Sequence, residues 1–179
     1  MKIHIIGGSG TGKSTLAKFI SEKEHIKWID TDNYLWKDDF FTENNPLEKR
    51  KELYQNDMES CSSYVASGSI FSWCPEGFSN RDHLVFLFLD EFIRMDRLRN
   101  REIERIGISE MWMDENGKYT NEFLDWCKTY LTEEDENMAG TYAEQVYQMA
   151  LSKSPVLKLD SSRTVEELYA EILSRLNQY

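Results

Sequence analysis

The chain is 179 residues long, 40% hydrophobic and 30% charged, and its 21 Lys and Arg against 32 Asp and Glu leave a net charge of −11. That length suits one globular domain with a buried core, and the composition excludes a disordered chain. The negative charge opposes phosphate backbones and anionic bilayers, so neither nucleic acid nor membrane is an expected partner, and any basic cluster must serve a local purpose.

Lys2 to Ile6 is β-branched and bounded by glycine, which predicts a short strand. After a glycine-rich turn, Leu16, Phe19 and Ile20 fall at helical spacing, so a helix is expected from Lys13 to about Lys23. A second strand, His25 to Ile29, ends at Asp30-Thr31-Asp32. Asn44-Asn45-Pro46 opens a charged helix to about Ser60. Ser63 to Ala66 reads as a third strand ending in Ser67-Gly68-Ser69, and the unbroken apolar run Leu84 to Leu89 suits a strand buried on both faces.

A long helix is expected after Asp90 to about Ile106, then a polar insert, Gly107 to about Thr120, with little periodicity and the placement of a lid. Further helices are predicted over Glu122 to Tyr130, and from the cap signal Thr132-Glu133-Glu134-Asp135 to about Ser152. Pro155 to Leu159 makes the last strand, and the capping box Thr164-Val165-Glu166-Glu167 opens a final amphipathic helix. Alternating strands and helices predict an α/β, three-layer fold with a parallel sheet of about five strands, helices on both faces and a helical lid insert. The whole chain, 1–179, is expected to be one domain, with no repeat or linker.

Cys61, Cys74 and Cys127 are widely spaced, with no CxxC and no histidine at zinc-ligand spacing, so reduced thiols are expected. No secretory pattern precedes the first strand, and no apolar run approaches the roughly 18 residues of a membrane span. A cytoplasmic protein, monomer or homodimer, is expected.

The chemistry concentrates at Gly7-Gly8-Ser9-Gly10-Thr11-Gly12-Lys13-Ser14, which fits GxxxxGK[ST] at every fixed position between strand and helix. Glycines let backbone N–H groups turn inward around phosphates at a helix N-terminus, whose partial positive charge favours anions. Lys13 is expected on the β and γ phosphates, and the Ser14 hydroxyl on magnesium. Asp30 and Asp32 end the second strand at the edge where open α/β sheets bind ligands. Asp30 is expected to position magnesium through water or take the proton of an attacking hydroxyl, and Asp32 to bond the acceptor; a turn with a helix N-cap is the structural alternative.

Arg97, Arg101 and Arg105 recur every four residues on the helix leading into the insert, where they could clamp transferring phosphates or simply pair with Asp96, Glu102 and Glu104. Arg101 is favoured. Asp90-Glu91 imitates the acidic pair of ATPases, but no ABC-type signature accompanies it. Trp28, Tyr34, Trp36, Phe40 and Phe41 flank the carboxylates, and Phe71, Trp73 and Phe78 follow Gly68; core packing is the default for any one of them. His4, His25 and His83 form no motif.

With the P-loop, Asp30-Thr31-Asp32, Ser67-Gly68-Ser69 and the arginine-rich helix, the chain resembles the adenylate-kinase and shikimate-kinase group of P-loop small-molecule kinases. Ile3 to Lys18 and Asp30 to Trp36 are similar to bacterial topology modulation proteins. Arg97 to Gly107, Asn121 to Trp126 and Pro155 to Asp160 look like a sister set of AAA-type or kinase-like bacterial proteins. The resemblance implies triphosphate on Gly7 to Ser14 with Thr15 at the α-phosphate, and magnesium on Ser14 and Asp30. It implies an acceptor near Asp32, Ser67, Gly68, Ser69 and Arg81 in a region about 33–62, a lid about 105–131, and the purine beside Ser161 to Thr164. The chain departs from the group in lacking an Asp-Gly pair after strand three and in placing Asp90-Glu91 where a proline is common.

The function expected is an ATP and magnesium dependent phosphotransferase acting on a small molecule. The alternatives are a nucleotide-binding regulatory protein with weak turnover and an acceptor-independent NTP hydrolase. A GTPase is disfavoured, because no NKxD motif occurs and the nearby DxxG, Asp114 to Gly117, falls in the insert.

Overall fold

The computed structural model describes residues 1–37 and 43–176. Phe40 and Phe41, expected near the carboxylates, lie outside the described residues. In chain order the elements are β1 Lys2–Gly7, α1 Lys13–Glu24, β2 Lys27–Asp30, α2 Asp32–Leu35, α3 Leu47–Ser60, β3 Tyr64–Ser67 and β4 His83–Phe88. They continue with α4 Glu91–Ile106, β5 Trp112–Met113, β6 Tyr119–Thr120, α5 Glu122–Lys128, α6 Tyr142–Ala150, β7 Val156–Asp160 and α7 Val165–Leu176.

Five strands form one parallel sheet in the order β2-β3-β1-β4-β7. Side chains alternate across a strand, and the core divides accordingly. Ile3, Ile5, Val65, Val85 and Leu87 point to one face, where α1 and α7 cover them with Leu16, Ile20, Leu168 and Ile172. On the other face Tyr64 and Ala66 join Ile29, Tyr34 and Phe78 under Leu53, Tyr54 and Met58 of α3. Ile6, Leu84 and Phe86 meet Met149 of α6 and Val156. This is the three-layer α/β arrangement expected from the alternating pattern.

Three elements differ from the sequence-based expectation. Residues 32–35 form a helical turn, α2. The insert holds a small antiparallel hairpin, β5 with β6, closed by the Asp114–Gly117 turn in which Gly117 donates to the Asp114 carbonyl at 2.9 Å. The helix expected from Thr132 begins only at Tyr142, capped by the Thr141 hydroxyl. Residues 133 to 136 are Glu-Glu-Asp-Glu, whose like charges disfavour a helical turn, and no apolar stripe follows them before Tyr142.

The region expected as a lid divides in two. The hairpin leaves Trp112 and Met113 exposed, whereas α5 buries Leu124 and Cys127 against Leu98 of α4. All three cysteines are free thiols. Among the described residues, no helix is long and apolar enough to cross a membrane.

Candidate functional site

β1 delivers the chain into the glycine-rich loop, and Gly12 caps α1 with φ 85°, a left-handed conformation that favours glycine. No side chain caps this helix, and nothing lies within 4 Å of the position a Cβ at Gly12 would take. The first N–H groups of α1 therefore have no side-chain acceptor at an open helix end, which is the chemistry of an anion cradle. Ser14 and Thr15 are exposed on the first turn of α1. Thr11 folds inward, its hydroxyl donating to the Gly8 carbonyl at 2.9 Å.

Lys13 returns over the loop and donates to that same carbonyl at 3.0 Å. Lys13 is half-buried, and burial lowers its pKa from 10.5 to about 8. Asp32 and Asp30 oppose that shift, whereas Arg101 and Arg94 reinforce it. The P-loop lysine thus shares one electrostatic site with both strand-two carboxylates and with the arginine favoured from the sequence.

Asp30 is half-buried, and its Oδ1 accepts the Asp32 N–H at 3.2 Å. Burial, then the Asp32 charge, pushes its pKa up against that hydrogen bond and the pull of Lys13. Asp32 is exposed at the start of α2 and, among the described residues, nothing donates a hydrogen bond to its carboxylate. Between them Thr31 is buried at 3% exposure, and among the described residues its hydroxyl has no hydrogen-bond partner.

The Ser67-Gly68-Ser69 turn lies beside these carboxylates, since Thr31 donates its N–H to the Ser67 carbonyl at 3.1 Å. A Cβ at Gly68, where φ is 102°, would stand 2.1 Å from Thr31 Oγ1, so only glycine lets the two segments approach. The turn is fixed from three sides. The Trp28 indole donates to Ser67 Oγ at 3.0 Å, and His4 Nε2 lies 2.7 Å from the Gly68 carbonyl. Ser69 Oγ donates to Glu144 Oε1 at 3.0 Å. A carbonyl only accepts, so His4 must carry its proton on Nε2; its burial lowers its pKa to about 3 and keeps it neutral. Glu144 is fully buried, and burial raises its pKa.

The arginine helix meets the P-loop through a face offset by one residue from the predicted stripe. Arg94, Leu98 and Glu102 are buried, and a Cβ at Gly10 would come within 2.8 Å of Leu98 Cγ. Arg94 is held bidentate by Glu91 at 2.7 Å, donates to the Ser9 carbonyl at 2.9 Å and the Cys127 carbonyl at 2.7 Å, and lies 4.6 Å from the Tyr130 ring centre. It joins P-loop, α4 and α5. Sequence inspection overlooked it, although the Glu91 to Arg94 spacing was a visible signal.

Arg97 is exposed and reaches the Ser161 carbonyl at 3.5 Å, beside the segment where the resemblance puts a purine. Arg101 is exposed, lies 5.6 Å from the Phe123 ring centre and pairs with the Glu102 carboxylate at 3.8 Å, while its charge also reaches Lys13. Arg105 is bound by buried Glu102 at 2.6 Å and 3.2 Å, which is the intrahelical pairing named as the alternative.

Two features singled out in the sequence, one expected near the acceptor and one an imitation of an ATPase pair, are not brought here. Arg81 precedes β4, at the amino edge of the sheet opposite the P-loop, where it donates to Phe78 O and Ser152 Oγ. Asp90 is the N-cap of α4, its Oδ1 accepting from Phe92 and Ile93, and Glu91 is committed to Arg94, so the pair forms no ATPase-type acidic centre. Among the described residues, no three His, Cys, Asp or Glu side chains group as a metal cluster. A hydroxyl and one carboxylate instead suit magnesium, which is commonly held by one or two protein groups together with phosphate and water.

A family model described as an AAA domain matches residues 3–122. The chain is 32% identical over 175 residues to the uncharacterized protein YqaC of Bacillus subtilis, covering 98% of this chain and 97% of that one. Among solved structures, a gluconokinase from Sinorhizobium meliloti aligns with TM-score 0.57 at 17% identity over 99% of this chain and 91% of its own. Shikimate kinase from Aquifex aeolicus aligns with TM-score 0.56 at 17% identity over 99% and 96%. An uncharacterized protein from Eubacterium ventriosum aligns with TM-score 0.54 at 14% identity over 100% and 99%. The fold is therefore that of P-loop small-molecule kinases, and the chain belongs to the AAA domain family of P-loop proteins.

Proposed function

We propose that this chain is an ATP and magnesium dependent phosphotransferase that moves a terminal phosphoryl group to a small hydroxyl-bearing molecule. The observation that supports this reading is the uncapped N-terminus of α1 behind the glycine-rich loop, with Asp30 and Asp32 joined at 3.2 Å and both, like Arg101, acting on the charge of Lys13. A simple nucleotide-binding loop needs the lysine alone; a transferase also needs a base beside the acceptor and a cation for the charge that develops on the moving group.

In this reading the N–H groups of the loop and Lys13 hold the phosphates, replacing the Lys13 contact to Gly8. Ser14 would hold magnesium directly and Asp30 through water, and the ion would supply charge neutralisation between the phosphates. Alternatively, Asp30 takes the proton of the attacking hydroxyl instead of holding that water. Arg101 stabilises the transferring group and Arg97 steadies the nucleotide near Ser161. Ser67, Gly68 and Ser69 hold the acceptor against Asp32.

The test is ADP formation by the full chain with ATP and magnesium, with and without a panel of hydroxyl compounds. ADP that appears only with an acceptor supports transfer. ADP made equally without one would assign a hydrolase, and nucleotide binding with no ADP would assign a binding protein.

A further inference from the structure

One side chain outside the proposed chemistry sits directly against the phosphate loop. The pattern GxxxxGK[ST] fixes Gly7 and Gly12 and leaves position 8 open, yet the chain carries glycine there. Backbone shape does not demand it: Gly7, Gly10 and Gly12 take positive φ, and Gly8 does not. What excludes a side chain at position 8 is Tyr130. A Cβ at Gly8 would stand 2.9, 3.0 and 3.2 Å from Cζ, Cε2 and Cε1 of the Tyr130 ring.

That ring is not free to yield. Tyr130 is 8% exposed, its hydroxyl donates to Oε1 of the buried Gln145 at 2.7 Å, and the Arg94 guanidinium lies over it, 4.6 Å from its centre. The Tyr142 ring meets it edge-on at 6.0 Å, and the Tyr130 carbonyl accepts the Tyr142 N–H at 3.0 Å. Burial raises the pKa of the Tyr130 phenol, against the Arg94 charge and the Gly8 N–H. Residues of α4 and α6 therefore hold the ring in place from behind.

In front of the ring, the Gly8 carbonyl is the node of the loop. It accepts the Thr11 N–H at 3.3 Å, the Thr11 hydroxyl at 2.9 Å and the Lys13 ammonium at 3.0 Å. A shift of Gly8 would move the anchor of the phosphate-binding lysine and of the inward-facing threonine together.

Resting on the triphosphate-binding part of the proposed function, we propose that Tyr130 is a positioning residue. Its ring seats Gly8 and, through the Gly8 carbonyl, sets Thr11 and Lys13 for the phosphates. Positions 8 and 130 form a matched pair, in which the missing side chain of one makes room for the ring of the other.

The test is a double-mutant cycle read by calorimetric titration of ATP with magnesium, each protein being melted as well so that titrations are made on folded protein. Gly8→Ala should weaken Kd by at least about fivefold, because the methyl drives ring and loop apart. Tyr130→Leu should weaken it comparably by leaving Gly8 unsupported, whereas Tyr130→Phe keeps the ring and should stay within about threefold of the natural protein. In Gly8→Ala/Tyr130→Leu the methyl enters space the ring has vacated, so the double variant should bind more tightly than Gly8→Ala alone. A role in stability alone would lower Tm and leave the Kd of the folded variants unchanged. Losses that multiply in the double variant would assign the glycine to the nucleotide itself, and a natural Kd in Gly8→Ala or Tyr130→Leu would mean that the contact positions nothing. Either result overturns the proposal and leaves nucleotide binding standing. Where Tyr130→Leu does not fold, a natural Kd in Gly8→Ala or a loss of about fivefold in Tyr130→Phe overturns it. A natural protein that binds no ATP overturns the triphosphate reading, and the role of Tyr130 with it.

Discussion

Replacing Lys13 by Met is expected to abolish triphosphate binding and yet stabilise the free protein. Burying the ammonium lowers its pKa from 10.5 to about 8, which corresponds to roughly 3 kcal/mol of unfavourable interaction at neutral pH. The side chain is only half-buried, so solvent screening reduces the figure to about 1–2 kcal/mol. Met keeps much of the stem, and the Gly8 carbonyl stays bonded to the Thr11 hydroxyl and N–H, so little is lost against this gain. For a chain of this length the gain predicts a rise in Tm of about 3–6 °C. Thermal melts with and without ATP and magnesium read both halves of the prediction. Saturating nucleotide at about 100 times Kd should stabilise the natural protein by about 2.7 kcal/mol and leave Lys13→Met unmoved, inverting their order. The pH dependence is a second check. The folded-state pKa lies below the unfolded one, so the unfolded chain binds more protons between pH 8 and 10.5, and the natural protein gains stability across that window. The advantage of Lys13→Met should therefore fade from pH 8 to 10.5. A variant that melts lower than the natural protein at pH 7, or that still responds to nucleotide, would refute the reasoning.

Arg101→Ala should lower kcat by at least about tenfold while changing ATP affinity little, because the proposed interaction strengthens as charge develops; an unchanged rate in steady-state kinetics removes Arg101 from the site. Arg94→Met leaves Glu91 and the Ser9 and Cys127 carbonyls without their partner, and urea unfolding should show a loss of about 3 kcal/mol; a loss under 1 kcal/mol would mean the junction carries little. His4 is held neutral with a folded pKa of about 3 against 6.5 unfolded, so the unfolded state takes up protons first and stability falls as pH drops below 6.5, by about 2 kcal/mol at pH 5. His4→Gln keeps a donor for Gly68, and comparison of urea melts at pH 7 and pH 5 should show this part of the acid sensitivity removed.

What could be read from the sequence was what depends on neighbours along the chain. The β-branched run Lys2 to Ile6, the unbroken apolar run Leu84 to Leu89 and the spacing of Gly7, Gly12 and Lys13 announce strands and loop before any packing is considered. What could not be read depends on contacts between distant segments. Arg94 differs from Arg97 and Arg101 only in which face of α4 meets Gly10 and Cys127, a matter of helix rotation. His4 gains its role from a carbonyl 64 residues away. The resemblance put Arg81 near the acceptor, but strand direction puts the start of β4 at the edge opposite the P-loop. The Thr132 cap signal lacked an apolar stripe behind it, and chain-local capping alone did not outweigh four adjacent acids.

The apolar clusters are divided along the same line as the proposed chemistry. Ile29, Tyr34, Phe78 and α3 underlie the acceptor side, whereas α1, α7 and most of β1 underlie the loop, and Leu98, Leu124 and Cys127 underlie the arginine helix. Substitutions in separate clusters act nearly independently on stability. Descendants of such a chain can therefore remodel the floor beneath Asp32 and Gly68, acquiring new acceptors, without disturbing the packing that fixes the P-loop, so a common phosphoryl donor and divergent acceptors are compatible within one inherited scaffold.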